Sequence, residues 1–317
     1  MRRRSILSVG LCGLAACAGD GAAPSRPALA DGLLTPWRVV TGGFLSPAPA
    51  AGQPPAVARL GSGMYVRLLS PAAIALRGPD LLVADAGNGR LWRIDPAFNQ
   101  AAVVAGAPVG PGSAVALGPD LSAWVLDPAT RQVLRFARDG RLLQTWRVGS
   151  DVPSPVALAL ADGGATLLLA DGMGAQWSEQ RGPGGLARLV APGRDGRRVS
   201  GVDAIVPMDD ALYLLDRLAA AVHRTDRDGR VLATLGRGDL VQPGAIAADR
   251  DGRVFVADRA GSVLVVLREG QPARRIDAAA LDLQRIGSVA VDERVLALAD
   301  PLRGQVVLFT LAPGSGP

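Results

Sequence analysis

Short apolar runs, each closed by an aspartate and followed after a turn by a second apolar run, recur six times along this chain: LLVADAGNGRLWRI, AWVLDPATRQVLRF, LLLADGMGAQW, LYLLDRLAAAVHRT, VFVADRAGSVLVV and LALADPLRGQVVLF. The shared aspartates are Asp85, Asp127, Asp171, Asp216, Asp258 and Asp300, separated by steps of 42, 44, 45, 42 and 42 residues. A regular period of this size belongs to propeller blades or solenoid units, whose repeats bury their apolar faces only against one another.

The fifth repeat is the clearest. Three apolar runs separated by Asp-Gly and Ala-Gly turn signals predict a meander of short strands: strand a at 245–248, a turn at Asp251-Gly252, strand b at 254–257, a turn at 258–261 and strand c at 262–267. An outer strand d follows near Arg274. The same register places strand a at 73–76, 114–117, 157–160, 204–206 and 288–291. The predicted fold class is therefore all-β, a six-bladed β-propeller with four-stranded antiparallel blades, an arrangement that leaves only short protected edges. Alternation along strand a predicts Ile74, Val115, Leu158, Ile205, Ile246 and Val289 in the blade core. The small residues on the other side, from Ala73 and Ala75 round to Ser288 and Ala290, are expected to face the axial tunnel.

Ring closure leaves its own trace. Residues 33–39, LLTPWRV, echo 142–148, LLQTWRV, which end the second blade. The N-terminal segment is thus expected to supply strand d of the last blade, whose own residues stop after strand c, and to pair an edge that would otherwise stay open.

In the fifth blade Pro243-Gly244-Ala245-Ile246-Ala247, then Asp251-Gly252, then Val254-Phe255-Val256-Ala257-Asp258 resembles the NHL repeat. The likeness runs over about residues 33–312 and is weakest in blades three and four, where residues 178–185 read as an insertion and Met208-Asp209-Asp210 replaces the Asp-Gly turn. That resemblance implies a six-bladed propeller. Six-bladed enzymes similar to this fold, the sugar lactonases and streptogramin lyases among them, hold a divalent ion near the axis, which makes a metal-dependent lactonase or lyase the alternative functional class.

The first residues, MRRRSILSVGLCGLAAC, carry three arginines, an apolar stretch and small residues before Cys17, the layout of a secretory signal. Leu14-Ala15-Ala16-Cys17 also resembles the bacterial lipobox, which implies cleavage after residue 16 and a diacylated Cys17 as the new N-terminus. The expected organisation is a signal peptide at 1–16, a lipid-anchored tether at 17–32, the propeller at 33–312 and a tail at 313–317. With Ala18 after the cysteine, the expected address is the outer membrane, facing the periplasm. Cys12 and Cys17 are the two cysteines, so the exported domain is expected to depend on its core without a disulfide. At 49% hydrophobic residues it has the material for a large one.

Charge changes the picture little. The formal net charge of +5 falls to +2 once Arg2, Arg3 and Arg4 leave with the signal, and every cation is an arginine. Nucleic acid is not the expected partner.

The repeated aspartates are expected to be structural, accepting backbone N–H groups of the turns they open. A site for one ligand should instead break the period. The breaks are Tyr65 and Arg67 after a long Pro/Ala-rich connection, Met173 and Gln176 in blade three, Asp203 before strand a of blade four, and Asp239 and Gln242 before blade five. His223, the single histidine, falls in strand c of blade four and is expected to be half-exposed. Arg90, Arg131, Arg217, Arg259 and Arg303 follow the repeated aspartates, either pairing locally with acids or forming a ring for an anionic ligand. No catalytic residues, metal ligands or cofactor are expected. The favoured function is a monomeric, lipid-anchored binding or assembly module for a protein, peptide or envelope polymer, with contacts through loops on one face.

Overall fold

The computed structural model describes residues 32–45, 63–182, 188–193, 196 and 198–314. The signal, Cys17, most of the tether, the connection at 46–62 and the last residues of the tail lie outside them.

Six sheets, each built on four antiparallel strands, form a ring. The inner strands a are Pro71–Arg77, Ala114–Leu117, Pro155–Ala161, Ala204–Met208, Pro243–Ala248 and Ser288–Asp292, and each contacts the next, the last meeting the first. Strands b, from Asp80–Asp85 in blade one to Val295–Asp300 in blade six, all end on the repeated aspartate. They are buried on both sides. A strand sandwiched between neighbouring sheets has no wet face, which is why it reads as an unbroken apolar run instead of an alternating one.

The clasp is present. Leu34–Val40 pairs antiparallel with Gln305–Leu311, Leu34 opposite Leu311 and Val40 opposite Val306, with a register shift around Trp37. Leu34 is fully buried between blades five and six, together with Phe255, Phe309 and Leu311.

Alternation along strand a has a consequence beyond the one its pattern suggests. Both faces of the strand are packed. Ala73 lies in the same apolar cluster as Val115 of the next blade, Ala114 with Leu158, Ala157 with Ile205, Ala204 with Ile246, and Ala245 with Val289. The small residues therefore have two roles: Ala73, Ala114, Ala157, Ala204, Ala245 and Ser288 line the axial opening, as the alternation predicts, and the alanines also pack against the next blade. They are the recess into which the bulky residue of the following blade fits, because neighbouring sheets converge toward the axis and two bulky faces would collide there.

Two further departures follow from pairing. Gly42–Leu45 adds in parallel to the outer strand of blade one, Gln100–Val103, and Tyr65–Arg67 adds antiparallel outside it. Blade one thus carries six strands. Gly43 permits this addition, since a Cβ there would stand 2.9 Å from that of Ala101. In blade three, Ser178, Glu179 and Gln180 belong to strand c, Gln176–Gln180, and not to an insertion. Their polarity hides the strand. Ser178 is buried, and Glu179 lies near Arg188 and Arg227.

On the other face of the ring, Asp80 of blade one joins two arginines. Arg93 donates to it from the same blade, and Arg138 of blade two reaches it through Nε and Nη2 at 3.2 and 3.1 Å. Asp80 and Arg93 are both buried. Burial pulls the Arg93 guanidinium below its usual range while the Asp80 charge opposes that shift. Replacing Asp80 by Asn strands a buried cation, so urea unfolding should show a loss of about 3 kcal/mol; a loss within measurement error would show that solvent, and not Asp80, compensates Arg93.

Candidate functional site

Strand a begins where strand b ends: Pro71 stands opposite Asp85, and Pro243 opposite Asp258. The d-to-a and b-to-c connections therefore share one face of the ring. The repeated aspartates lie buried beneath it. Each accepts from its own b-to-c turn, as the sequence predicts, and five of the six also reach back to the d-to-a connection. Asp85 accepts the N–H groups of Leu69 and Ser70 at 2.9 and 2.7 Å as well as that of Gly87 at 3.2 Å. Asp258 does the same with Val241, Gln242 and Ala260, and Asp300 with Gln284, Leu302 and Arg303. Asp171 takes Ser154 and Met173, and Asp216 takes Ser200 and Ala219. Asp127 is the exception: it accepts from the Ala129 N–H and the Thr130 hydroxyl, both in its own turn.

These bonds consume loop backbone groups and leave side chains projecting. Leu69, Met173, Val241 and Leu302 each donate their own N–H to a repeated aspartate and expose their side chains, and Leu218 beside Ala219 is exposed likewise. An apolar crown thus stands on this face.

Inside the crown a cavity of about 530 Å³ opens on the axis. Its rim contains one equivalent residue from the start of each inner strand, at or just before its first residues: Ala72, Ser113, Val156, Asp203, Gly244 and Gly287. The residue after the repeated aspartate completes it in three blades, as Pro128, Arg217 and Arg259. Blades four and five are the charged ones. Asp203 accepts the Arg217 N–H at 3.0 Å and lies 3.4 Å from its Nε. Arg259 instead lies over Gly244, where a Cβ would stand 2.5 Å from Nε. A side chain at 244 would push the Arg259 guanidinium from the place where it crosses the backbone.

Asp203, Met173, Val241 beside Gln242, and the connection holding Gln242 are on this face. Gln176 braces the blade, its Nε2 donating to Asp151 O at 3.0 Å and Asp171 Oδ2 at 3.2 Å. Gln242 is engaged through its backbone, donating to Asp258 and accepting from Arg259. Asp239 lies apart, in a smaller cleft with Gly236 and Arg268, where its carbonyl accepts from Arg275. Tyr65 and Arg67 sit in the outermost strand of blade one, Tyr65 stacked edge-on against Phe44 and 2.8 Å from the Thr41 hydroxyl. The five arginines do not form a ring. Arg131 binds the carbonyls of Gly149, Val152 and Pro153, Arg303 pairs with Asp282, and only Arg217 and Arg259 line the cavity. Ser288 on the lining belongs to the set expected to face the tunnel, whereas Ser113 and Ser154 were missed; aligning the equivalent position of every blade would have flagged Ser113 beside Asp203.

His223 is buried, contrary to the expectation of half-exposure. Its Nδ1 is 3.0 Å from the Thr234 hydroxyl and its Nε2 3.5 Å from Asp216 Oδ2. Strand c faces a neighbouring sheet on each side, so alternation does not imply a wet position there. Among the described residues no group of three or more His, Cys, Asp or Glu side chains is arranged to hold a metal ion.

Structurally the chain is a six-bladed β-propeller with an axial cavity on its loop-crowned face. Among solved structures, a protein of unknown function from Bacteroides thetaiotaomicron VPI-5482 superposes with a TM-score of 0.63 at 15% identity, covering 86% of this chain and 76% of that one. Virginiamycin B lyase from Staphylococcus aureus gives 0.53 at 11%, covering 78% and 96%. Kuenenia stuttgartiensis hydrazine synthase gives 0.55 at 13%, covering 80% and 99%. These likenesses are of fold. No protein-family model matches the sequence, and a search of curated proteins finds no match.

Burial alone would raise the Asp216 carboxyl, but His223 and the N–H groups of Ala219 and Ser200 overcome it and hold the carboxyl below its ordinary range. A depressed folded value means that this contribution is complete above the unfolded value near 4 and is lost as pH falls through the folded one. The stability gap between the wild type and Asp216→Asn should therefore shrink between about pH 5 and pH 2 in urea titrations. A gap independent of pH would sink this account of Asp216.

Proposed function

We propose that this chain is a lipid-anchored binding module of the cell envelope: an NHL-type propeller carried on a lipobox signal, acylated at Cys17, held at the outer membrane facing the periplasm, and acting as a monomer without catalysis. Its partner is a protein, peptide or envelope polymer that meets the crowned face. The observation that carries this reading is the coincidence, on one face, of exposed Leu69, Met173, Leu218, Val241 and Leu302 with the mouth of the axial cavity. Several exposed aliphatic side chains gathered on one face are a mark of an interaction site. The fixed aspartate hydrogen bonds support it further, because loops held in one conformation lose little entropy on binding.

The metal-dependent lyase alternative draws on fold likeness to virginiamycin B lyase. The lining does not fit a divalent ion. Its single carboxylate, Asp203, is already engaged by Arg217, and two arginines share the rim.

Two measurements test the proposal on the full chain. Mass spectrometry of the membrane-bound protein should show a diacylated N-terminal cysteine, and Cys17→Ser should release the chain to the soluble fraction; an unmodified, soluble wild type would overturn the anchor. A photo-crosslinking amino acid placed at Leu218 or Leu302 should yield envelope adducts in cells, while one at Leu142, exposed on the outer strand of blade two, should not. Adducts from position 142 alone would move the binding surface elsewhere.

A further inference from the structure

The rim of the axial cavity carries three ionisable groups: Asp203, Arg217 and Arg259. Asp203 compensates Arg217, through Nε and through the backbone N–H. Arg259 has no such partner. Its side chain makes no hydrogen bond or ion pair among the described residues, though its backbone N–H is used by Gln242 O. Two cations against one anion leave the mouth at net +1. A guanidinium normally seeks a carboxylate, and every other arginine that lines or flanks this face in a repeated position has found an acid, a row of carbonyls or an aromatic ring.

Arg259 is exposed on the rim. It lies against Gly244, the residue that stands where blade four has Asp203, so the fifth blade lacks the carboxylate that would have neutralised it. The uncharged lining includes small and aliphatic residues of the inner strands, Ala73, Ala157, Ile205 and Ile246 among them. The volume of about 530 Å³ suits a small organic molecule and is larger than a lone inorganic ion requires.

We infer that the axial cavity binds a carboxylate attached to a small apolar body, the carboxylate paired with Arg259 at the rim and flanked by Arg217, the apolar part directed down the axis. This deepens the binding-module reading and rests on the same face; it names the group that enters the cavity. A planar guanidinium offers two parallel N–H groups to the two carboxylate oxygens, which accounts for preferring a carboxylate to a neutral amide of the same shape. The source is either a free organic acid or the C-terminus of a peptide, and the two share this chemistry.

Calorimetric titration of the full-length chain in non-ionic detergent, in buffer free of phosphate and carboxylate, tests it. Probes are hexanoate, hexanamide, acetyl-Ala-Leu with a free C-terminus, the same dipeptide amidated, and inorganic phosphate. Binding is expected for hexanoate or the free-acid dipeptide and not for the amides; whichever acid binds more tightly identifies the source. Arg259→Gln should weaken it at least tenfold, whereas Arg141→Gln, on an exposed c-to-d turn, should leave it unchanged. Asp203→Asn removes the competing carboxylate and should tighten binding several-fold, a gain that misfolding cannot imitate. Equal binding of acid and amide, no effect of Arg259→Gln, heat from phosphate alone, or no binding by about 10 mM ligand would each overturn the inference. Crosslinking from Leu218 and Leu302 reads contact with a macromolecule, not occupancy of the cavity, so the two proposals fail separately.

Discussion

The hydrogen bonds that five of the buried aspartates accept from two loops at once are the constraint on which the rest of the structure depends. Each such carboxylate ties the turn that leaves strand b to the connection that enters strand a, so the two loops of a blade become one rigid piece. A buried carboxylate is costly unless its oxygens are satisfied, and here backbone N–H groups that would otherwise lack partners satisfy them. The same bonds set the direction of the side chains that share those N–H groups. Leu69, Val241 and Leu302 project because their backbones are held from below. Structure and candidate binding surface thus come from one repeated contact.

Around the axis a second rule operates. Every inner strand presents small residues to one neighbour and larger aliphatic ones to the other, and the ring turns this local asymmetry into six similar joints. At the sixth joint Ser288 replaces alanine, and its hydroxyl accepts the Ile74 N–H at 3.4 Å between the last blade and the first. Closure therefore has two parts, this inner contact and the outer clasp made by Leu34–Val40.

Symmetry also explains where specificity arises. Five repeated aspartates build equivalent scaffolds, so whatever distinguishes one side of the cavity must come from residues next to them. Asp203 with Arg217, and Gly244 with Arg259, are adjacent variations on one pair of positions, and together they give an otherwise neutral rim a positive sector. The lyase and synthase propellers resemble this chain in fold alone, so the chemistry has to be argued from that sector.

The blade count, the strand order, the clasp and the structural role of the repeated aspartates were determined by the sequence itself. They depend on contacts within a repeat or between copies of one repeat, and such contacts recur with the period. Asp203 was visible as a break in that period, and Arg217 and Arg259 as members of an arginine set. Tertiary structure alone decided that these two reach the axis while Arg131 and Arg303 turn aside, because the difference lies in which neighbours each guanidinium finds. It decided the burial of His223, the strand hidden in Ser178 and Glu179, and the extra strands on blade one. In a ring of sheets a side chain that alternation would expose to water meets the next blade instead, and that partner is more than forty residues away in sequence.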